Sequence, residues 1–593
     1  MKKWFHTLSA QILNTLLWVF PYQLTVSILL AVLTALLNRI GLFFVASAGE
    51  AAITNGNYRV FFSRWQGWAL LALGVLACAL YICLDIGALI RITDLKIHGQ
   101  KERILTSCMH SLKLLPKFFT PSGLLILLAV TFSVPLANIG FSITLTEGFY
   151  IPNVYSVDLM SNPVTRAIYD IGIACLAILI TKGIFTIHFM VLQKDSAKNA
   201  FLHSAELTKS FFIRFLILFL LLTILFYGLG KGVDALFLTL PDWLISRYVS
   251  HTGIQRFLYL LFNLNGVIIL FLFRVISTPL FMYLITRWYY RLLKQPAGFQ
   301  EESLPSFLHQ RKLRVIIPSA LLAASIVLDV GFDTFFPLES QTEIIAHRAG
   351  GNLASENTML ALTKAEEAGT DGSEIDVQRT KDGQYIVFHD TTFRRLCGVS
   401  SAPSDLTYAE IQKLKVRNTT GNDLPDQPIP TLEQMLKQVS EIPGYQLYIE
   451  LKGSTADAQM AEDVTALVKK YSLEERTVIT SISYEPVAYI EENYPEMETG
   501  YIYHFSFGDI GSMNVDWLVI EEEVATDEEI AAIHQIGKKV SVWTVDSRSS
   551  IRHFLISDAD SIITNQVDRS LEVKEELSQR TDLQRIQDVL LKK

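Results

Sequence analysis

Four short clusters recur at the ends of strand-like runs in the last 240 or so residues of this 593-residue chain: His347-Arg348, Glu374-Ile375-Asp376, His389-Asp390 and Glu450-Leu451-Lys452. Imidazoles exchange protons near neutral pH, carboxylates hold cations, and Arg or Lys holds phosphoryl oxygens. Together these are the parts for metal-assisted cleavage of a phosphate ester. Three carboxylates, Glu374, Asp376 and Glu450, suit a hard ion such as Mg²⁺ or Ca²⁺, whereas a softer metal calls for thiolates or more imidazoles. Taken singly each cluster is weak, because a Glu-x-Asp on a strand is usually a solvated face and a lone histidine usually a structural hydrogen-bonding group. Their convergence on strand ends is what points to a site.

The elements that must carry these residues alternate. Strand-like runs at about 343–347, 373–378, 385–389, 446–451, 477–481, 499–503, 516–520, 539–544 and 560–564 are interleaved with amphipathic helical patterns such as Asn357 to Ala368, Ala456 to Tyr471 and Asp527 to Gln535. Alternation over some 235 residues suits an α/β (β/α)8 (TIM) barrel, whose active sites lie at the C-terminal ends of the strands. Nine runs for eight positions leave one over. The extra one is 385–389, since Asp382-Gly383 reads as a two-residue hairpin turn. That turn pairs Lys381 with Gln384 and, carried back, Asp376 with His389, which puts the histidine on the face shared by Glu374 and Asp376.

The first 335 residues have a different composition. Half the chain is hydrophobic, with a mean hydropathy of +0.31, and seven apolar runs are long enough to cross a bilayer: about Leu24 to Ala46, Trp68 to Ile90, Leu124 to Leu145, Ile168 to Leu192, Phe215 to Leu229, Phe257 to Ile285 and Val315 to Val330. The expected architecture is therefore an all-α polytopic membrane domain over 1–335, the barrel over 340–570, and a charged helical tail over 571–593. Ala46-Ser47-Ala48 looks like a signal-peptidase site, but the apolar run before it is too long, so the first run is read as a retained span. Lys2 and Lys3, then Arg91, Lys96, Lys101, Arg103, Lys113 and Lys117, then the basic residues of the fourth and sixth loops, put the N-terminus and the even loops in the cytoplasm. An odd number of spans then puts the barrel outside the cell. Arg39, Asp85, Lys182 and Arg274 fall within spans, where charges face a partner, a cavity or the interface.

The net charge of −8 conceals opposite halves. Residues 1–340 carry 27 basic and 16 acidic side chains, leaving 24 and 43 for the rest. An acidic soluble half is a poor binder of nucleic acid. Cys397 is its only cysteine, so no disulfide can form within it.

The order His347-Arg348-Ala349-Gly350-Gly351, Glu356-Asn357-Thr358, Glu374-Ile375-Asp376-Val377, Thr380-Lys381-Asp382-Gly383, His389-Asp390 and Glu450-Leu451-Lys452 resembles the glycerophosphodiester phosphodiesterase family over about 344–570. The hydrophobic half is similar in layout to the membrane domain fused to such enzymes in Gram-positive bacteria. The resemblance implies that Glu374, Asp376 and Glu450 hold the divalent metal, that His347 and His389 are the acid-base pair, and that Arg348 and Lys452 hold phosphate oxygens. It also implies that Trp543 forms an aromatic wall beside the glycerol, although core packing explains that residue as well. There are departures. Ala349 stands where glycine is usual, adding a methyl expected near the phosphate pocket, while Arg394-Arg395 and Asn565-Gln566-Val567-Asp568 differ from the commoner forms.

The expected activity is metal-dependent hydrolysis of glycerophosphodiesters to glycerol 3-phosphate and an alcohol at the outer face of the cell membrane. Deacylated head groups, lysophospholipids and glycerol-phosphate polymers are the substrate classes, and membrane lipids the expected partners. Two rivals stand beside it: a non-catalytic transporter or lipid-binding protein whose barrel senses a head group, and a phosphoinositide-type phospholipase. The residues leave open which histidine begins as base.

Overall fold

The computed structural model describes residues 2–100, 102–137, 163–209, 212–295, 311–338, 340–421 and 423–591. These divide into two compact units, one of residues 1–44 and 67–332, the other of residues 45–66 and 333–593.

Among its described residues the second unit has thirteen strands: β1 (Ala52–Thr54), β2 (Glu343–Ala346), β3 (Gly372–Arg379), β4 (Tyr385–Val387), β5 (Lys415–Val416), β6 (Gln427–Pro428), β7 (Gln446–Leu451), β8 (Thr477–Ser481), β9 (Glu498–Tyr503), β10 (Ser506–Gly508), β11 (Trp517–Glu521), β12 (Lys539–Trp543) and β13 (Ser561–Thr564). Eight of them pair in parallel, in the order β2-β3-β7-β8-β9-β11-β12-β13, and β13 closes on β2. This is the expected barrel. Strands buried on both faces need apolar residues of both parities. Accordingly Ile345, Tyr448, Val478, Ile502, Trp517 and Ile563 fill the interior, while Ile375, Val377, Leu447 and Ile449 pack outward on the surrounding helices. The helix Met359–Ala368 starts on Thr358, whose hydroxyl accepts the Ala361 N–H, and ends on left-handed Gly369.

β4 is the ninth strand, folded back antiparallel on β3 as expected, but its register differs by one residue. Val377 faces Val387 and Gln378 faces Ile386, so Phe388, not His389, lies across from Asp376, to whose carbonyl it donates at 2.8 Å. The turn explains the slip. Thr380 N–H bonds the Gln384 carbonyl, Thr380 Oγ1 holds Asp382 Oδ1 at 2.6 Å, and Gly383 adopts φ +79°. The loop therefore has three residues, Lys381-Asp382-Gly383, with glycine in the left-handed position.

The shell of helices is interrupted between β9 and β11, whose connection carries β10 and the short turn Ile510–Ser512. Residues from the far end of the sequence fill that place. β1, from the loop between the first two apolar helices, pairs antiparallel with β10, Ala52 to Gly508 and Thr54 to Ser506. Ala52 joins Tyr501, Tyr503, Val487 and Ile510 in the outer core. Gly508 is required here: its φ is +140°, and a Cβ would lie 2.5 Å from the Ala52 Cα. Gly508→Ala should therefore cost about 1–3 kcal/mol and free β1, seen as a lower Tm and faster proteolysis within residues 45–66. Wild-type resistance in that segment would count against the pairing.

In the first unit, four helices are long and apolar enough to cross a bilayer among the described residues: Pro21–Ser47, Trp65–Ile97, Pro163–Leu192 and Thr252–Leu292. They correspond to the first, second, fourth and sixth apolar runs. Ile104–Phe118 and Pro121–Thr131 are bent by 116° against each other; part of the third run, 138–145, lies outside the described residues. The fifth run falls in the helix Phe212–Asp234, and the seventh forms the shorter apolar helix Val315–Val330. Arg91 in the second loop is paired with Glu102 at 2.8 Å. The Asp85 carbonyl accepts the Tyr22 hydroxyl at 2.8 Å. The Arg274 side chain lies outside the described residues.

Candidate active site

The C-terminal ends of β2, β3 and β7 bring three carboxylates together. Strand parity sets Glu374 and Asp376 on the inward face of β3, and the β3–β7 register places Glu450 directly beside Asp376. Ligand oxygens of Glu374, Asp376 and Glu450 lie within 4.8 Å of one another, and all three residues are buried. Backbone and side-chain donors fix them. Glu374 Oε2 accepts the Arg348 N–H at 2.8 Å. The Asn357 amide grips Asp376 twice, Nδ2 donating to Oδ2 at 2.7 Å and Oδ1 accepting the Asp376 N–H at 3.2 Å. Lys452 Nζ reaches Glu450 Oε2 at 2.8 Å and Asp376 Oδ1 at 3.1 Å.

The electrostatics call for more positive charge than the chain supplies. Burial, reinforced by the charges of Asp376 and Glu450, pushes Glu374 well above the usual carboxylate range. Burial raises Glu450 too, with Lys452 pulling the other way. For Asp376 burial acts in the same sense, but Lys452, His389, Arg348 and the Asn357 amide together hold it below that range. Asp376 Oδ1 is also buried without a hydrogen bond, Lys452 notwithstanding. Three buried hard oxygen donors fit Mg²⁺ or Ca²⁺, and a divalent ion would let all three ionise.

The two histidines come from different loops. His347 follows β2, where the chain passes through two left-handed residues, Arg348 at φ +50° and Ala349 at φ +75°. Left-handed backbone disfavours a Cβ, which gives a local reason for glycine being commoner at position 349. The Ala349 side chain lies in the outer core with Ile375 and Leu447, so the methyl expected beside the phosphate pocket packs elsewhere. His389 arrives by a route other than strand register. The Gln378 amide donates to the carbonyls of Phe388 and Asp390, at 2.7 and 2.9 Å, and folds the chain inward after β4. His389 is thereby close enough for an imidazolium at that position to act on Asp376 and Glu450. Together with Asp390, Arg395, Lys452 and Gly453 it lines an open cleft of about 690 Å³.

The rings are held by unlike partners. Asn565 Nδ2 donates to Asp546 Oδ2 at 2.8 Å, so its Oδ1, 2.7 Å from His347 Nδ1, must accept a hydrogen bond from the N–H at that nitrogen. Nε2 is left with its lone pair, 3.9 Å from Glu374 Oε2. Burial, and then the Arg348 charge, push His347 down to about 3, so the ring is neutral at pH 7. His389 Nδ1 instead meets Asp390 Oδ1 at 2.9 Å. Asp390 stays ionised: burial works against this, but His389 and Arg395 hold it below the usual range. Arg395 also clasps Glu356, and Glu356 takes Arg348 Nη1 at 3.1 Å. One hydrogen-bonded chain, Arg348–Glu356–Arg395–Asp390–His389, thus ties the two loops together.

Asn357, Glu356, Arg395, Asp546 and Asn565 have no role in the sequence reading, although Glu356-Asn357, Arg395 and Asn565 lie in stretches it singled out. Their partners are up to 218 residues away, and only the fold discloses them. Trp543 ends β12 with its indole N–H on the Val519 carbonyl at 3.1 Å and packs against the barrel interior. Asn565→Leu should lower kcat about 10–100-fold with little change in KM, because it frees the His347 ring without touching substrate groups. A change confined to KM would refute the orienting role.

The family described as "Glycerophosphoryl diester phosphodiesterase family" matches residues 347–569, and "Membrane domain of glycerophosphoryl diester phosphodiesterase" matches residues 1–328. YhdW of Bacillus subtilis (strain 168) is 30% identical over 232 residues, 38% of this chain and 95% of that protein. A glycerophosphodiester phosphodiesterase of Caldanaerobacter subterraneus subsp. tengcongensis is 28% identical over 235 residues, 38% of this chain and 94% of that one. Among solved structures, a glycerophosphodiester phosphodiesterase from Agrobacterium tumefaciens str. C58 is 25% identical with a TM-score of 0.34, covering 39% of this chain and 99% of its own.

Proposed function

Since the chain belongs to the glycerophosphoryl diester phosphodiesterase family and is a hydrolase of that class, we propose that it cleaves glycerophosphodiesters to glycerol 3-phosphate and an alcohol in a metal-dependent reaction at the outer face of the membrane. The observation that carries the site assignment is the buried trio Glu374, Asp376 and Glu450, flanked by two histidines with unlike partners. A divalent ion bound by the trio supplies Lewis-acid charge to the phosphoryl oxygens.

The remaining steps belong to side chains. Arg348 and Lys452 hold the other phosphoryl oxygens and offset their charge. His347 Nε2, bearing the lone pair, takes the proton from the glycerol 2-hydroxyl as that oxygen attacks phosphorus. His389, backed by ionised Asp390, gives its proton to the departing alcohol oxygen. The P–O bond to the alcohol breaks as the new P–O bond closes a cyclic phosphate. His389, now neutral, then takes a proton from water, which attacks phosphorus, and protonated His347 returns its proton to the 2-oxygen, leaving glycerol 3-phosphate and both rings as they began. The unlike partners support this order: an amide oxygen on Nδ1 suits a ring that receives a proton, and a carboxylate suits one that gives it up.

The chain path supports the outer-face location. Residues 45–66 belong to the barrel's own unit, so they lie on the same side of the bilayer as the barrel. The crossings between residues 66 and 333 must then be even in number, and the one before residue 45 makes the total odd. Lys2 and Lys3 before the first span, and six basic residues in the second loop, favour a cytoplasmic N-terminus. Cysteine-labelling of exposed positions on the barrel of intact cells tests this, with impermeant reagent expected to react; protection until the cells are opened would overturn the location. The reaction itself is tested by glycerol 3-phosphate release from glycerophosphocholine by the purified full chain, with and without EDTA. Turnover of neither glycerophosphocholine nor any lysolipid would refute the site assignment.

A further inference from the structure

The segment that completes the barrel's shell also forms part of its catalytic rim. β1 is followed by Asn55, whose Oδ1 accepts the His504 N–H at 3.1 Å. Thr54 Oγ1 lies 2.6 Å from the Tyr501 hydroxyl. Gly56 is pressed so close to the Ile482 carbonyl and the Tyr501 hydroxyl that a Cβ would stand 2.8 Å from each. The Tyr58 and Phe505 rings meet edge-on at 6.2 Å. Ile482 follows the C-terminal end of β8, and His504 and Phe505 follow that of β9, so all three lie on the face that carries the site. Glu450 is in register with Thr480, and Thr480 with Gly500. Ile482 and Tyr503 therefore stand two and three residues beyond the Glu450 level, about 7–10 Å further toward the rim.

What this segment exposes is unlike a water-facing loop. Tyr58, Val60, Phe62 and Trp65 are all exposed, with Arg59 among them. Tyr, Trp and basic residues together are the composition of a membrane–water interface. The segment is also continuous with two bilayer-length helices: Pro21–Ser47 ends five residues before Ala52, and Trp65–Ile97 begins seven residues after Tyr58.

We propose that residues 54–66, with Phe505, form a lipid-contacting lip on the catalytic rim, and that this lip directs the enzyme to diesters held in the bilayer by an acyl chain over the same head group free in water. The proposal rests on the phosphodiesterase reading above and adds the substrate class. The reacting atoms are identical in the two substrates, so the preference is one of binding and is carried by KM.

The test uses the full chain reconstituted in phosphatidylcholine vesicles. Choline release is measured from glycerophosphocholine and from lysophosphatidylcholine carried in the vesicles. The wild type is expected to favour the lysolipid in kcat/KM. Tyr58→Ala combined with Phe505→Ala is expected to lower the lysolipid-to-soluble ratio at least tenfold through KM, and Tyr58→Trp with Phe505 intact to keep it. An unchanged ratio overturns the proposal, as does a parallel loss on both substrates, which would mark the segment as a prop for the barrel only. A wild type that prefers the soluble diester overturns the proposal and leaves the phosphodiesterase reading standing. A wild type that cleaves neither substrate removes both.

Discussion

Glu450→Gln and Asp376→Asn should each lower glycerol 3-phosphate release at least about a thousandfold, and EDTA should do the same to the wild type. The reason is charge balance in a buried place. Glu374, Asp376 and Glu450 crowd their oxygens within 4.8 Å, and burial already drives Glu374 and Glu450 toward the neutral form. A divalent ion reverses that tendency, and removing one ligand weakens its hold on the other two. Lys452 adds a second effect. Its ammonium sits against Glu450 and Asp376, and breaking a buried pair from one side costs about 3–5 kcal/mol. The near-isosteric amides keep a hydrogen-bonding oxygen there, and a thermal melt beside each assay separates loss of fold from loss of chemistry. Activity regained by adding Mg²⁺ or Ca²⁺ after EDTA identifies the ion. Full turnover in EDTA, or in both variants, would refute the metal-dependent mechanism.

His347→Ala and His389→Ala should each lose about 10²–10⁴-fold in kcat on glycerophosphocholine, and the two should part company when the leaving group changes. From a diester of glycerol phosphate with p-nitrophenol, the leaving group departs as p-nitrophenolate and needs no proton. His389→Ala should therefore recover most of its first-step rate on that substrate, read as release of p-nitrophenol, while His347→Ala stays slow because the 2-hydroxyl must still be deprotonated. The expectation follows from the rings' partners, Asn565 Oδ1 at 2.7 Å for His347 and ionised Asp390 at 2.9 Å for His389. Recovery by His347→Ala instead would exchange the roles, and recovery by neither would argue against acid-base division between them.

The strands of the barrel were legible because a doubly buried strand has to be written in apolar residues of both parities, and runs such as Leu447 to Leu451 have no other reading at that length. The clustering of Glu374 with Asp376 was legible because strand parity puts both carboxylates on one face regardless of what surrounds them. The hairpin register was not. Asp382-Gly383 fits a two-residue or a three-residue loop, and the choice fell to Thr380, whose hydroxyl and N–H both bond within the turn. His389 reached the site all the same because Gln378 draws the chain after β4 inward, a contact no periodicity encodes. The groups that orient the histidines stayed hidden for a simpler reason: Asn565 and Asp546 are ordinary polar residues in loops until the closure of β13 on β2 brings them to His347. The place of β1 in the barrel was illegible too, since three residues between two apolar helices carry no signal of a partner some 450 residues away.

That long-range partnership bears on how the chain is made. Thr54 and Tyr501 are 447 residues apart, and synthesis runs at about 5–20 residues per second, so the residues of β1 are made roughly 20–90 s before those of β9 and β10. The barrel, once complete, still has a gap in its shell until it finds that waiting segment. Cloning residues 340–593 alone would leave the gap permanent, exposing Tyr501, Tyr503 and the β10 edge, and such a fragment should aggregate where the same fragment supplied with a peptide of residues 45–66 stays in solution.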